Sequence, residues 1–208
     1  SRIGHWGRLQ DAHAPSAEML QWLRRHLGAT PPWRHRNREA WPLSSPRALP
    51  ELKVETRDDD GARCGHARGQ SVVDLVRLRA RQVSAFPDVV AYPACVEEIE
   101  AVLHLAAREH LRIIPFGGGT TVTGAVTAYP DAAPLIVMDL ARMNELIAVD
   151  DKSRLATFGA GIYGPDAEDK LARHRFQLGH YPQSFEFSTL GGWVAARSSG
   201  QESIRFGR

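Results

Sequence analysis

From Phe86 onward the hydrophobic positions fall into short runs and regular stripes; before it the pattern is poor. "VVAYP" (89–93) is a β-branched run stopped by Pro93 and predicts a short strand. "CVEEIEAVLHLAAREHL" (95–111) sets Val96, Ile99, Val102, Leu103, Ala106 and Ala107 on one helical stripe. "RIIPF" (112–116) returns as a strand. Strand, helix and strand make a βαβ unit, which puts the two strands parallel. "LIVMDL" (135–140) reads as a further strand, and "IAVD" and "RLATFGAG" bracket the turn residues Asp151, Lys152 and Ser153 as a hairpin. "GPDAEDKLARHR" (164–175) reads as a helix opened by Pro165 and Asp166. "STLGGWVAARSSG" (188–200) mixes small residues around Trp193.

Residues 1–84 are Arg-rich and interrupted by proline. Ser16 and Gly28 can cap the two ends of a helix over "SAEMLQWLRRHLG". The proline-rich stretch 30–50 reads as loop, and "SVVDLVRLRARQ" (71–82) as a short helix with an apolar face. The division expected is an irregular, partly helical region over 1–84 and an α+β domain over 85–208, with subdomains of about 85–141 and 142–208.

Bulk properties narrow the function. A chain of 208 residues with 43% hydrophobic and 24% charged content is globular, not disordered. A formal charge of +2 is too mild to argue for nucleic acid. Cys64 and Cys95 stand far apart in no metal or redox spacing, and the histidines show no ligand spacing, so no metal is assigned. No apolar stretch has the length of a membrane span, and the first residues lack the apolar core of a signal peptide. A cytoplasmic protein is expected. The chain opens without Met and stops at "SIRFGR" without an evident end signal, so a fragment of a longer protein is expected.

The chemistry concentrates in "IIPFGGGTTVTGAV" (113–126), where three consecutive glycines follow a strand. A phosphate-binding P-loop needs Gly-Lys-Ser/Thr, and this run has no lysine. A Rossmann turn would use Gly117, Gly119 and the downstream Asp139, but Val122 holds the third glycine position and no amphipathic helix follows. Two readings stay open on the residues alone. One is a backbone nest in which bare amides, with the hydroxyls of Thr120 and Thr121, wrap a pyrophosphate. The other is a tight turn at a sheet edge.

"PFGGGTTVTGAV" resembles the pyrophosphate loop of the FAD-binding domain in the vanillyl-alcohol oxidase / p-cresol methylhydroxylase (PCMH-type) superfamily. The βαβ stretch 86–119 and the stretch 138–200 resemble the same domain in order and spacing. Met143, Asn144, Ala160–Ile162 and "EFSTLGGWVAARSSG" are similar to the alkyldihydroxyacetonephosphate synthase branch, as is "RCGHARGQSVVDLVRLRARQVSAFPDVVAYP" ahead of the domain. The resemblance covers residues 62–208 and implies a PCMH-type fold of two small α/β subdomains with FAD held non-covalently between them.

Three cofactor-binding segments follow from it. The first is Pro115, Phe116, Gly117, Gly118, Gly119, Thr120 and Thr121. The second is Pro182, Gln183, Ser184, Phe185, Glu186, Phe187 and Ser188. The third is Ala195, Ala196, Arg197 and Ser198. Gln183 and Tyr181 depart from the branch, which carries acidic residues there. His180 is expected to pack or hydrogen-bond, Glu186 to order its loop and Trp193 to anchor the core. The implied reaction is ether-lipid synthesis, exchange of acyl for alkyl on dihydroxyacetone phosphate via a flavin adduct. The resemblance places the acid/base residues and the substrate-binding cap domain beyond residue 208, so no catalytic residue is named. The alternatives are an FAD-linked oxidase or dehydrogenase of a hydroxy acid, and an inactive truncated nucleotide-binding product. A homodimer stays open.

Overall fold

A computed structural model describes residues 15–28, 43–80 and 82–207; the expected loop over 30–42 lies outside them. Helix α1 (Ala17–Leu27) starts where Ser16 Oγ accepts from the Met19 amide and stops at Gly28, whose φ of 78° suits glycine. None of its residues is buried.

The centre of the fold is a four-stranded sheet in the order β1-β2-β4-β3. β2 (Val89–Ala91) and β3 (Arg112–Phe116) both run parallel to β4 (Leu135–Asp139), which lies between them. The βαβ strands are therefore parallel but not neighbours. Every residue of β4 is buried, which explains an uninterrupted "LIVMD" in place of an alternating pattern. The short β1 (Thr56–Arg57) pairs antiparallel with β2, so residues ahead of position 85 enter the sheet.

Helix α4 (Val96–Arg108) links β2 to β3 and buries Val102, Leu105 and Ala106, with Ile99 half-buried on the same core as Val89, Ala91, Ile136 and Met138. Val96 and Leu103 of the expected stripe are exposed, at 55% and 47%, and Ala107 is exposed too. Apolar residues surround more than one side of this helix, so periodicity alone centred its stripe too far round and missed Leu105.

Residues 43–80 lie against the sheet through polar ties. Arg63, only 2% exposed, donates from Nε to the Pro87 carbonyl (2.7 Å) and from Nη2 to the Ser44 carbonyl (2.9 Å). Arg47 donates from Nη2 to the buried carboxylate of Asp88 at 2.7 Å, and the Leu135 amide donates to that carboxylate at 2.8 Å. Helix α2 (Asp60–Gly65) is capped by Asp59, which accepts from the Ala62 amide. Helix α3 (Val72–Ala80) forms as expected, but its inward face is mixed polar and apolar. It buries Asp74 and Leu78, while Val72, Val73 and Val76 are exposed. Hydrogen bonds from Ser71 and Thr127 hold the Asp74 carboxylate inward.

The second half begins with the hairpin β5 (Leu146–Asp150) and β6 (Leu155–Phe158), which pair antiparallel. Its turn is held by Asp150, which accepts from the amides of Lys152 and Ser153, with Arg154 left-handed at φ 55°. Helix α5 (Gly164–Ala172) opens with proline and buries Ala167 and Leu171. A 3-10 turn (Phe185–Phe187), helix α6 (Leu190–Ala196) and helix α7 (Ser203–Phe206) complete the described chain.

Candidate functional site

The glycine loop leaves the C-terminal end of β3 and meets the second predicted segment directly. A Cβ built on Gly118 would collide with the Phe187 carbonyl oxygen and lie 2.8 Å from its carbon and 2.9 Å from Ser188 Cα. A Cβ on Gly117 would collide with Thr189 Oγ1. At Gly119, φ is 64°, and a Cβ would lie 2.6 Å from the Phe116 ring. The glycines are bare because the protein itself occupies their Cβ positions. A ligand is not needed to explain them.

The amides explain what is left over. None of the N–H groups from Gly118 to Val122 donates to another group among the described residues. Gly117–Thr121 are half-buried, and Thr121 Oγ1 sits 3.0 Å from Thr123 Oγ1. Successive bare amides with no acceptor of their own among the described residues suit an anion. The loop fits a pyrophosphate on this ground.

The second segment is built around Trp193 of α6. Trp193 is 7% exposed, and its Nε1 donates to Ser188 Oγ at 2.6 Å; Ser188 Oγ donates onward to the Ser184 carbonyl at 2.8 Å. Phe185 stacks on Trp193 with centroids 6.1 Å apart and packs against Tyr181 at 5.1 Å. Pro182 and Ser188 are buried, Ser184, Phe185 and Phe187 are half-buried, and Gln183 and Glu186 are exposed.

The third segment ends α6. Ala195, Ala196 and Arg197 are exposed, and Arg197 is left-handed at φ 49° where the helix stops. Ser198 turns back: its Oγ and His180 Nε2 are hydrogen-bonded at 2.7 Å, and its amide donates to the Trp193 carbonyl at 2.9 Å. His180 also packs on Trp193 at 5.0 Å, and burial holds its ring below the ordinary histidine pKa. Trp193, Ser188 and His180 thus tie the second and third segments together, while Phe187 and Thr189 tie the second to the glycine loop.

Residues outside the prediction complete the surroundings. Thr189 is buried, faces Gly117 and caps α6 by accepting from the Gly192 amide at 3.3 Å. Threonine is among the residue types favoured at a helix N-cap, the one local signal for Thr189. Asp139, at the C-terminal end of β4, accepts from the Ala141 amide (2.8 Å) and is hydrogen-bonded to His66 Nε2 (2.9 Å). His66 packs on Phe116 at 4.7 Å. Burial, with Asp139 and Asp166 nearby, pushes the Tyr163 phenol up. The C-terminal ends of parallel strands beside a glycine loop are where open α/β sheets receive nucleotides. Among the described residues no group of side chains could hold a metal ion.

Comparison with known proteins agrees. The chain belongs to the FAD binding domain family, which it matches over residues 87–208, and its fold is the PCMH-type α+β fold. It is 39% identical over 171 residues to an alkyldihydroxyacetonephosphate synthase of Dictyostelium discoideum, covering 80% of this chain and 28% of that protein. A solved alkyldihydroxyacetonephosphate synthase superposes with a TM-score of 0.75 at 37% identity, covering 79% of this chain and 33% of the other. A D-lactate dehydrogenase of Archaeoglobus fulgidus is 30% identical over 119 residues, covering 57% of this chain and 26% of that protein. FAD is the cofactor. The chain spans under a third of the length of the synthase relative.

Proposed function

We propose that this chain is the FAD-holding part of an alkyldihydroxyacetonephosphate synthase, and that it binds the cofactor non-covalently. The supporting observation is the row of amides at Gly118–Val122 with no acceptor among the described residues, wedged by its glycines against Phe187 and Thr189. In this reading Pro115–Thr121 take the pyrophosphate, and Pro182–Ser188 with Ala195–Ser198 line the flavin side. FAD, when bound, supplies the reactive ring system; the chain binds, orients and shields it. The Trp193–Ser188 and His180–Ser198 contacts keep those two segments in place. Residues 85–141 and 142–208 form the two subdomains. The substrate and the acid/base groups belong to chain beyond this stretch.

The synthase reading rests on 39% identity over most of the chain, against 30% over a shorter stretch for the dehydrogenase relative. That relative keeps an FAD-linked hydroxy-acid dehydrogenase as the second reading. Among the described residues no helix is long and apolar enough to cross a membrane. Cys64 and Cys95 are both free, which supports a cytoplasmic location.

Two measurements test this. The absorbance spectrum of the purified full chain should show paired flavin bands that pass into the supernatant on denaturation. Incubation with acyl-dihydroxyacetone phosphate and a labelled fatty alcohol should then yield the ether product. Anaerobic bleaching of the flavin by a hydroxy acid, with no ether product, would select the dehydrogenase.

A further inference from the structure

Among the described residues the amides of Gly118–Val122 have no acceptor, so their own hydrogen bonding does not fix the shape of the loop. Contacts from outside must. Phe187 and Thr189 supply one side. The other side is supplied by residues 67–74, which lie ahead of the family match at residue 87.

Two backbone hydrogen bonds clamp the second half of the loop. The Gln70 amide donates to the Thr121 carbonyl at 2.8 Å, and the Ala128 amide donates to the Ala67 carbonyl at 2.7 Å. Between these points Thr127 Oγ1 donates to the Asp74 carboxylate, 2.9 and 3.0 Å from its two oxygens. Both side chains are buried, Asp74 at 3% and Thr127 at 8% exposure. Ser71 locks the carboxylate in turn: its Oγ donates to Asp74 Oδ2 at 2.7 Å and accepts from the Asp74 amide at 3.0 Å. Gly69 sits flush on the loop, where a Cβ would lie 2.6 Å from the Thr121 carbonyl oxygen and 2.9 Å from Thr121 Cγ2.

We infer that residues 67–74 are a positioning strap for the cofactor: Gly69, Asp74 and Thr127 hold the glycine loop in the shape that receives the pyrophosphate. This rests on the FAD reading above. The strap explains why a buried carboxylate stands at the start of α3 while three valines of that helix face solvent. Pulling Asp74 inward ties the start of the helix to Thr127, while Leu78 is buried one turn on. A buried carboxylate with hydroxyl donors on both sides is held in one rotamer, so the clamp is rigid.

The test is made in the full chain as its gene encodes it, with FAD affinity followed by flavin fluorescence and the fold followed by circular dichroism. ADP, which carries the pyrophosphate without the flavin ring, serves as competitor. Gly69→Ala pushes a methyl group into the Thr121 backbone. Thr127→Val removes the hydroxyl at nearly constant shape, and Thr127→Ser restores it. The expected result is an FAD dissociation constant raised about tenfold in Gly69→Ala and Thr127→Val, with ADP competition weakened in parallel, and Thr127→Ser within about twofold of wild type. Thr127→Val decides the matter if Gly69→Ala does not fold. Wild-type affinity for FAD and ADP in a folded Thr127→Val would overturn the strap and leave the region a packing element only. A wild-type chain that binds neither FAD nor ADP would overturn the cofactor reading, and the strap with it.

Discussion

Replacing Gly118 by alanine is the sharpest perturbation this fold offers. The new methyl group would stand 2.8 Å from the Phe187 carbonyl carbon and 2.9 Å from Ser188 Cα. Carbon atoms settle at about 3.5–4.0 Å, so the loop and the 185–189 segment must part by about 1 Å. Both partners are backbone, and Ser188 is tied to Trp193 and to the Ser184 carbonyl, so no side chain can swing aside. Forced expansion of a packed contact costs about 1–3 kcal/mol, and backbone against backbone belongs at the upper end. For a unit of this size about 3 kcal/mol lowers Tm by about 6–12 °C. The same movement pulls the glycine loop from the flavin segment, so FAD retention should fall with stability. Gly65→Ala is the matched control: its Cβ meets nothing within 4 Å, and its place in α2 makes alanine neutral or stabilising by about 0.5–1 kcal/mol. Thermal unfolding with and without added FAD reads both. A Gly118→Ala protein with wild-type Tm and full flavin content would refute the contact and the geometry built on it.

Three further outcomes follow from the same structure. Arg63→Ala leaves the Pro87 and Ser44 carbonyls without their donor and should cost about 3 kcal/mol, measured by urea unfolding. Burial pushes the Asp88 carboxyl up, but its bonds from Arg47 and from the amides of Leu135 and Arg47 outweigh that and hold it below the ordinary range. Its contribution is therefore present above about pH 4 and lost as pH falls further; Asp88→Asn should be less stable at pH 7 and show a flatter acid limb in urea titrations. Burial depresses the His180 pKa, so protonation is less favourable in the fold than in the unfolded chain, and stability should decline as pH falls below about 6.5. His180→Asn should remove that decline, and an unchanged slope in unfolding measurements between pH 7 and 5 would contradict the assignment.

The chain order of elements from Val89 to Ala172 was legible because each declares itself locally, whereas the 3-10 turn at Phe185–Phe187 and helix α6 were not read from the sequence. β4 is a run of four apolar residues closed by Asp139, the β5–β6 turn is a cluster of Asp, Lys and Ser, and α5 begins with proline. The glycine triplet was legible as a place where a side chain could not be tolerated. Its neighbour was not, because Phe187 is sixty-nine residues further on and only the packed fold brings it over Gly118. The strap formed by Gly69, Asp74 and Thr127 was equally hidden: an aspartate in a row of valines carries no sign of its direction until Thr127 supplies a donor across the fold.

Local pattern therefore marked the main strands, helices and turns between Val89 and Ala172, since period, capping and turn chemistry act over a few residues, but not β1, α2 or α6. It also marked the bare loop and, through resemblance, the kind of cofactor. Tertiary structure alone decided the insertion of β4 between β2 and β3, the face that α3 and α4 turn inward, and the groups that fill the Cβ positions of the glycines. Those choices depend on contacts between residues distant in the chain. Their free energy comes from burial and from hydrogen bonds satisfied across elements, and no window of sequence contains both partners.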